Sequence, residues 1–381
     1  MYYRYKQYIS HLHDTKKYRS LPVIHKNYKK DILNFSTNDY LQLAYHPNLI
    51  NAAIMTGSTY GVGSTGSRLL SGNNELFERL ETTIAQDKHT ETAMLFISGF
   101  QTNVSVLSAL LDHHVLKMQP LVFFDKLNHA SLYQAVFLSK AELLRYYHNN
   151  MEHLSSLLKK YKDDNRPKFI VTETLFGMDG DIAPLTDIVS LSSQYQTFLY
   201  LDEAHATGLT GIHGYGLSTT VNLSHIPHIV MGTFSKALGC SGGYIACKQL
   251  IKDYLINKAT GFIYSTAGSP MVLGAAQEAW NLIRTLDNQR AHLNSLSKEL
   301  RDGCNQLGFN IGTSSSHIIP LILGSEEDAS HVHKKLLEHH ILTSYIRPPT
   351  VPPKTSRIRI ALNVGHNKAD IERLLQLLST L

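Results

Sequence analysis

The chain has 381 residues, 43% hydrophobic and 18% charged, an ordinary globular composition long enough to bury a large core. A net charge of +5 with no dense Lys/Arg run argues against nucleic acid as a partner. No stretch reaches the roughly 20 apolar residues of a membrane span, and the three cysteines, Cys240, Cys247 and Cys304, lack metal-ligand spacing and cannot all pair, which suits a reducing, cytoplasmic setting.

The first segment, MYYRYKQYISHLHDTKKYRS, is basic and has no continuous apolar core, so residues 1–45 are expected to form a solvated helix or arm. Gly61, Gly63 and Gly66 then follow the spacing G-x-G-x-x-G of a dinucleotide-binding turn. That turn must follow directly on a strand, whereas NAAIMTGSTY mixes helical spacing with small polar residues. Asp87, placed like a ribose partner, precedes the next strand instead of ending one, so the glycines do not specify a nicotinamide site.

From Thr92 onward, apolar β-branched runs alternate with helical patterns. Strands are expected at 92–98, 121–125, 168–176, 197–204, 228–235 and 243–247, with helices such as QTNVSVLSALLDHH and MEHLSSLLKKY between them. Strands buried on both faces and separated by helices predict a mostly parallel α/β sheet flanked by helices. Beyond Gly268 long helices accompany three further strands, at 317–323, 341–346 and 357–362. The expected organisation is a large α/β domain over 46–268 and a smaller α+β domain over 269–381. Adjacent histidines such as His113-His114 and His339-His340 diverge on any regular element, and no metal site is expected.

Ligands of open α/β sheets bind beyond the carboxyl ends of the strands. FISGFQTN ends a strand at Ser98-Gly99 and starts a helix near Phe100, whose free N–H groups suit an anion. LYLDEAHATG puts Asp202 and His205 at and just past another strand end, and a buried carboxylate there needs a cationic partner. MGTFSKALGCSGG places Lys236 after a strand among small residues, where a desolvated amine becomes a nucleophile. An aldehyde for Lys236, a cationic ring nitrogen for Asp202 and a phosphate for the Gly99 helix start together describe pyridoxal 5′-phosphate.

At these motifs the sequence resembles the α-oxoamine synthases, fold-type I enzymes that use that cofactor. NDYLQLAYHP, GSTGSRLLSGNNELFERLE, FISGFQTN, NHAS, MDGDIAPL, LDEAHATG, TFSKALG and YST carry the likeness, in order, from about Arg19 to the C-terminus. The resemblance implies a fold-type I transferase with a smaller α+β C-terminal domain, working as a homodimer with shared sites. It implies that Lys236 joins the cofactor's aldehyde carbon and moves the substrate's Cα proton, that Asp202 pairs with the ring nitrogen, and that His205 bonds the ring oxygen. His129 should stack on the ring. Gly99, Phe100, Thr233 and Ser235 should hold the phosphate side, with Ser265 and Thr266 reaching the neighbouring subunit's phosphate. Gly177 stands where the family usually has a serine.

The substrates of such enzymes are an amino acid and an acyl thioester. Arg357 and Arg359 share one face of SRIRIAL, and Arg359 matches the carboxylate anchor, with Asn38 beside the substrate. YIRPPTVPPKTS, with Thr350, and KYRSLPVI, with Arg19, resemble the branch that condenses L-alanine with a pimeloyl thioester on coenzyme A or acyl carrier protein. Glycine C-acetyltransferase is the competing assignment, and a noncatalytic partner subunit the remote one.

Overall fold

The computed structural model describes residues 1–15, 17–19, 21 and 32–381. After a two-residue strand β1 (Leu33–Asn34) come β2 (Thr92–Phe96), β3 (Leu121–Asp125), β4 (Glu142–Tyr146), β5 (Lys168–Glu173), β6 (Phe198–Asp202), β7 (His228–Thr233) and β8 (Gly243–Cys247). Strands β2 to β8 form one sheet in the order β2-β8-β7-β6-β5-β3-β4. Every pairing is parallel except the two that β8 makes, so β2 runs in the same direction as the parallel strands. The carboxyl ends of β2, β3, β5, β6 and β7 therefore open on one edge, and that edge collects the chemistry.

The sheet is buried because alternate side chains enter opposite layers. Leu121, Phe123, Ile170, Leu199 and Leu201 join one apolar cluster, while Val122, Phe124, Phe169, Val171 and Tyr200 join the other. Each such fully buried side chain contributes about 1.5–3 kcal/mol of hydrophobic stabilisation. The strands expected in this sheet all form, and the structure adds β4, which sequence pattern alone does not predict. Its burial is partial along most of its length, as befits an edge strand carrying Glu142 and Arg145 instead of a continuous apolar run.

The C-terminal part carries β9 (Ile318–Gly324), β10 (Ile341–Leu342), β11 (Ser344–Ile346) and β12 (Ser356–Ala361). The single strand expected over 341–346 is two. Ile341 and Leu342 pair in parallel with Leu33 and Asn34, whereas Ser344 to Ile346 pair antiparallel with β12. Buried Thr343 is the break, because the two halves answer to different partners. Strand β12 lies between β11 and β9. Tyr2–Asp14 is a helix with no buried residue. Residues 33–40 behave differently. Leu33 and Phe35 donate backbone bonds to His340 and Leu342, and Phe35 and Tyr40 accept from Ala361 and Val364. That tie brings Asn38 and Tyr40 to the C-terminal sheet. Part of the KYRSLPVI motif lies outside the described residues.

Candidate active site

The glycines of GVGSTG follow the helix Pro47–Tyr60, with Gly61 at φ +86° as its C-cap. No strand feeds this turn, so it lacks the context of a dinucleotide site.

Asp202 ends β6 and is 3% exposed. Its Oδ1 accepts from the Ala204 N–H at 2.8 Å and its Oδ2 from Asn103 Nδ2 at 2.7 Å. Asn103, on the helix Gly99–Leu110, also donates to Ser131 Oγ at 2.9 Å and accepts from the Tyr200 hydroxyl at 2.8 Å. Ser131 Oγ in turn lies 2.7 Å from His129 Nδ1. The carboxyl group is thus held by neutral donors and makes no ion pair among the described residues, which leaves a buried acid to be matched by a bound cation.

Lys236 lies three residues beyond the end of β7 and is partly accessible. Its amine makes no hydrogen bond or ion pair among the described residues. Desolvation pushes its pKa down to about 8, against the pull of Asp202 and Glu173 and with help from Arg359. A neutral amine is the nucleophilic form, so the site prepares this lysine for attack on a carbonyl. Glu173, opposite Asp202 in the β5–β6 register, is pushed well above the carboxylate range by burial and by the neighbouring Asp202.

His205 is 7% exposed, and burial followed by the Lys236 and Arg359 charges holds its pKa well below the usual range. Its Nδ1 is 2.8 Å from the Tyr40 hydroxyl, and its Nε2 lacks a hydrogen-bond partner among the described residues. A Cβ on Gly177 would stand 2.1 Å from that Nε2, so the ring occupies the space a side chain at 177 would need. His129 is exposed, its Nε2 likewise unpartnered, and Phe100, 49% exposed, meets it edge-on at 6.4 Å.

Arg359 is not the solvent-facing arginine of an edge strand. It is 3% exposed on the middle strand β12. Its Nε donates to the Gly177 carbonyl at 2.6 Å, and its Nη2 to Asn38 Oδ1 and the Tyr40 hydroxyl, each at 3.1 Å. Nη1 has no protein partner among the described residues. Arg357, on the same face, pairs with Asp179 at 2.6 Å, while Ile358 and Ile360 join the core.

The helix expected near Phe100 starts at Gly99, with Ser98 as N-cap. Thr233 borders it, its Cβ 3.3 Å from where a Cβ on Gly99 would lie. Thr233 Oγ1 donates to the Gly242 carbonyl at 2.7 Å and contacts Ser235 Oγ at 2.8 Å. Ser265 and Thr266 line a cavity together with Ile97, Gln101 and Phe234, and Thr266 is exposed and bridges to Ser67 across the glycine-rich turn. Arg19 and Thr350 are exposed and in contact, Arg19 Nη2 donating to Thr350 Oγ1 at 3.3 Å. Asn103 and Tyr40 were not singled out from the sequence, although both lie inside quoted motifs, and only side-chain geometry marks them.

An amine without a partner, a buried carboxylate without a cation, two imidazoles each with an open nitrogen and a helix start lined by hydroxyls fit pyridoxal phosphate. Residues 30–378 match the family described as aminotransferase class I and II. The chain belongs to that family. A protein of Paramagnetospirillum magneticum, provisionally named 8-amino-7-oxononanoate synthase, is 47% identical over 91% of this chain and 87% of its own length. Among solved structures, the 8-amino-7-oxononanoate synthase of Francisella tularensis superposes with a TM-score of 0.78 at 28% identity, covering 92% of this chain and 97% of that one. A serine palmitoyltransferase solved with the cofactor superposes with a TM-score of 0.85 at 27% identity, covering 92% and 87%. Both are α-oxoamine synthases. The chain is of that type, and pyridoxal phosphate is its cofactor.

Proposed function

We propose that this protein condenses L-alanine with a pimeloyl thioester to give 8-amino-7-oxononanoate, carbon dioxide and the free thiol carrier. The observation that carries the proposal is Arg359, a buried guanidinium with one nitrogen left unpartnered close enough to Lys236 to lower its pKa. A fixed cation there suits the carboxylate of an amino acid. The names of the relatives supply the choice of substrates.

Pyridoxal phosphate, when bound, supplies an electron sink for chemistry at the amino acid's α-carbon. The protein's part is distributed over its own side chains. Asp202 provides the fixed negative charge at the base of the site, and His129 and His205 present open ring nitrogens at its sides. Lys236, with its depressed pKa, takes and returns the proton of the α-carbon. The new bond joins that carbon to the acyl carbon while the thiol leaves, and the bond to the carboxylate breaks to release carbon dioxide. Gly99, Phe100, Thr233 and Ser235 would line the phosphate, and Asn38 would help Arg359 with the carboxylate. The Arg19–Thr350 contact would border the acyl chain, whether it arrives on coenzyme A or on an acyl carrier protein. The same reading takes the enzyme as a cytoplasmic homodimer in which Ser265 and the exposed Thr266 face a neighbouring subunit's site. No described helix is long and apolar enough to cross a membrane.

The test crosses L-alanine and glycine with pimeloyl-CoA and acetyl-CoA and measures product and thiol release. Turnover should be fastest for L-alanine with pimeloyl-CoA. A preference for glycine with acetyl-CoA overturns the substrate assignment.

A further inference from the structure

A second buried polar cluster lies behind the site, and nothing in the proposed chemistry uses it. Its centre is His148, two residues past β4. Nδ1 of His148 is 2.9 Å from Asp125 Oδ1, at the end of β3, and Nε2 is 2.7 Å from Asp181 Oδ2, in the turn after β5. Both carboxylates are buried, and the ring packs edge-on against Phe176 at 4.4 Å. The next residue repeats the bridge, with the Asn149 N–H donating to Asp125 Oδ2 and its Nδ2 to Asp181 Oδ2, each at 2.9 Å. Thr313 Oγ1 adds a bond to Asp181 from the C-terminal part, at 3.2 Å.

The two ends of this bridge lead to different walls of the active site. Asp125 begins the short loop that carries Asn128 and His129. Asp181 closes the turn 176–181, where the Phe176 N–H donates to the Asp181 carbonyl at 3.0 Å. The front of that turn is the Gly177 carbonyl that receives Arg359, and its Asp179 receives Arg357. Behind the Arg359 anchor, hydrogen bonds joined through the covalent backbone of the 176–181 turn and the Asp181 side chain thus lead to the strand end that supports His129.

We infer that His148, bonded at both ring nitrogens, is a positioning residue that sets the gap between the His129 loop and the Gly177 turn and so the grip of Arg359 on the substrate carboxylate. A neutral imidazole carries one N–H and can donate to only one of two carboxylates. The bridge therefore requires hydrogen on both nitrogens, and the two flanking carboxylates favour that doubly protonated ring against the cost of its burial. Without that ring, two buried carboxylates face each other and the turn moves off its seat. This role rests on the functional reading above, since it acts through Arg359.

The test uses holoenzyme and two variants, His148→Gln and Asp181→Asn, the second keeping the Asp125 pair should the first fail to fold. Binding of L-alanine, glycine and L-serine is followed, without thioester, by the cofactor's absorbance. The variants should bind the preferred amino acid about tenfold or more weakly, as a displaced anchor requires, with a raised KM and a smaller change in kcat. Wild-type affinity in both variants, with only a lowered melting temperature, overturns the inference. So does nitrogen-15 spectroscopy of the apoprotein that finds a singly protonated His148 at neutral pH. Wild-type protein that responds to glycine alone refutes the substrate assignment and leaves the inference standing. Wild-type protein that responds to no amino acid refutes both.

Discussion

A lysine with a pKa of about 8 differs from surface lysines by its readiness to react at neutral pH, and that difference is measurable without substrate. In apoprotein labelled by an amine-directed acylating reagent and read by mass spectrometry, Lys236 should react with a midpoint near pH 8, while solvated lysines follow their ordinary value of 10.5. A Lys236 that tracks the surface lysines contradicts the desolvated site. Lys236→Ala should lower turnover by about 10³-fold or more, the scale of a lost nucleophile and proton carrier. Gly177 makes a second residue-scale case. Because the Cβ itself would meet His205, Gly177→Ala and Gly177→Ser should disturb the site equally, each costing about 1–3 kcal/mol of apoprotein stability in a melting experiment. A harmless Ser beside a damaging Ala would mean that a hydroxyl at 177 finds its own partner. His148 gives the third. Burial opposes its charge, but hydrogen bonds to Asp125 and Asp181 and their charges outweigh burial and raise its pKa from 6.5 to about 10. The folded ring binds its proton more tightly than the unfolded one, so its contribution is complete below pH 6.5 and is lost as pH rises through about 10. Wild-type melting temperature should fall across that window more steeply than that of His148→Gln.

At the scale of elements, the strand ends are where local pattern and the candidate site coincide. Lys88, capping the helix Glu75–Asp87, pairs with Glu203 with neither side chain exposed, and Glu203 also accepts from the Ser218 N–H at 2.7 Å. This ties a helix to the residue after Asp202. Lys88→Met leaves a buried carboxylate without its cation and should cost about 3–5 kcal/mol, whereas the double replacement Lys88→Met/Glu203→Leu should recover much of that loss. Equal destabilisation of the two would show that packing, and not charge, holds the joint. The central strands β3, β5, β6, β7 and β8 are legible as apolar runs because both of their faces are buried. Edge strand β4 is not, since its outer face is wet and its pattern mixed. The split of β10 from β11 is not legible either, because it depends on β1, a partner about 300 residues away along the chain.

For the molecule as a whole, the candidate site is assembled from the shared edge of the large sheet and the buried middle strand of the small one. Neither part contains both Lys236 and Arg359. Strand-end position, residue type and spacing were enough to single out Lys236, Asp202, His205 and the Gly99 helix start from sequence, since a parallel sheet delivers each strand end to one edge by local rules. Those residues follow from period and composition wherever the chain is read. Tertiary structure alone decided that Arg359 is buried, that His205 fills the space beside Gly177, and that His148 bridges two carboxylates. Each of these is a contact between segments far apart in sequence, and its energy comes from desolvation, which depends on what else is packed nearby and is written in no single stretch of residues.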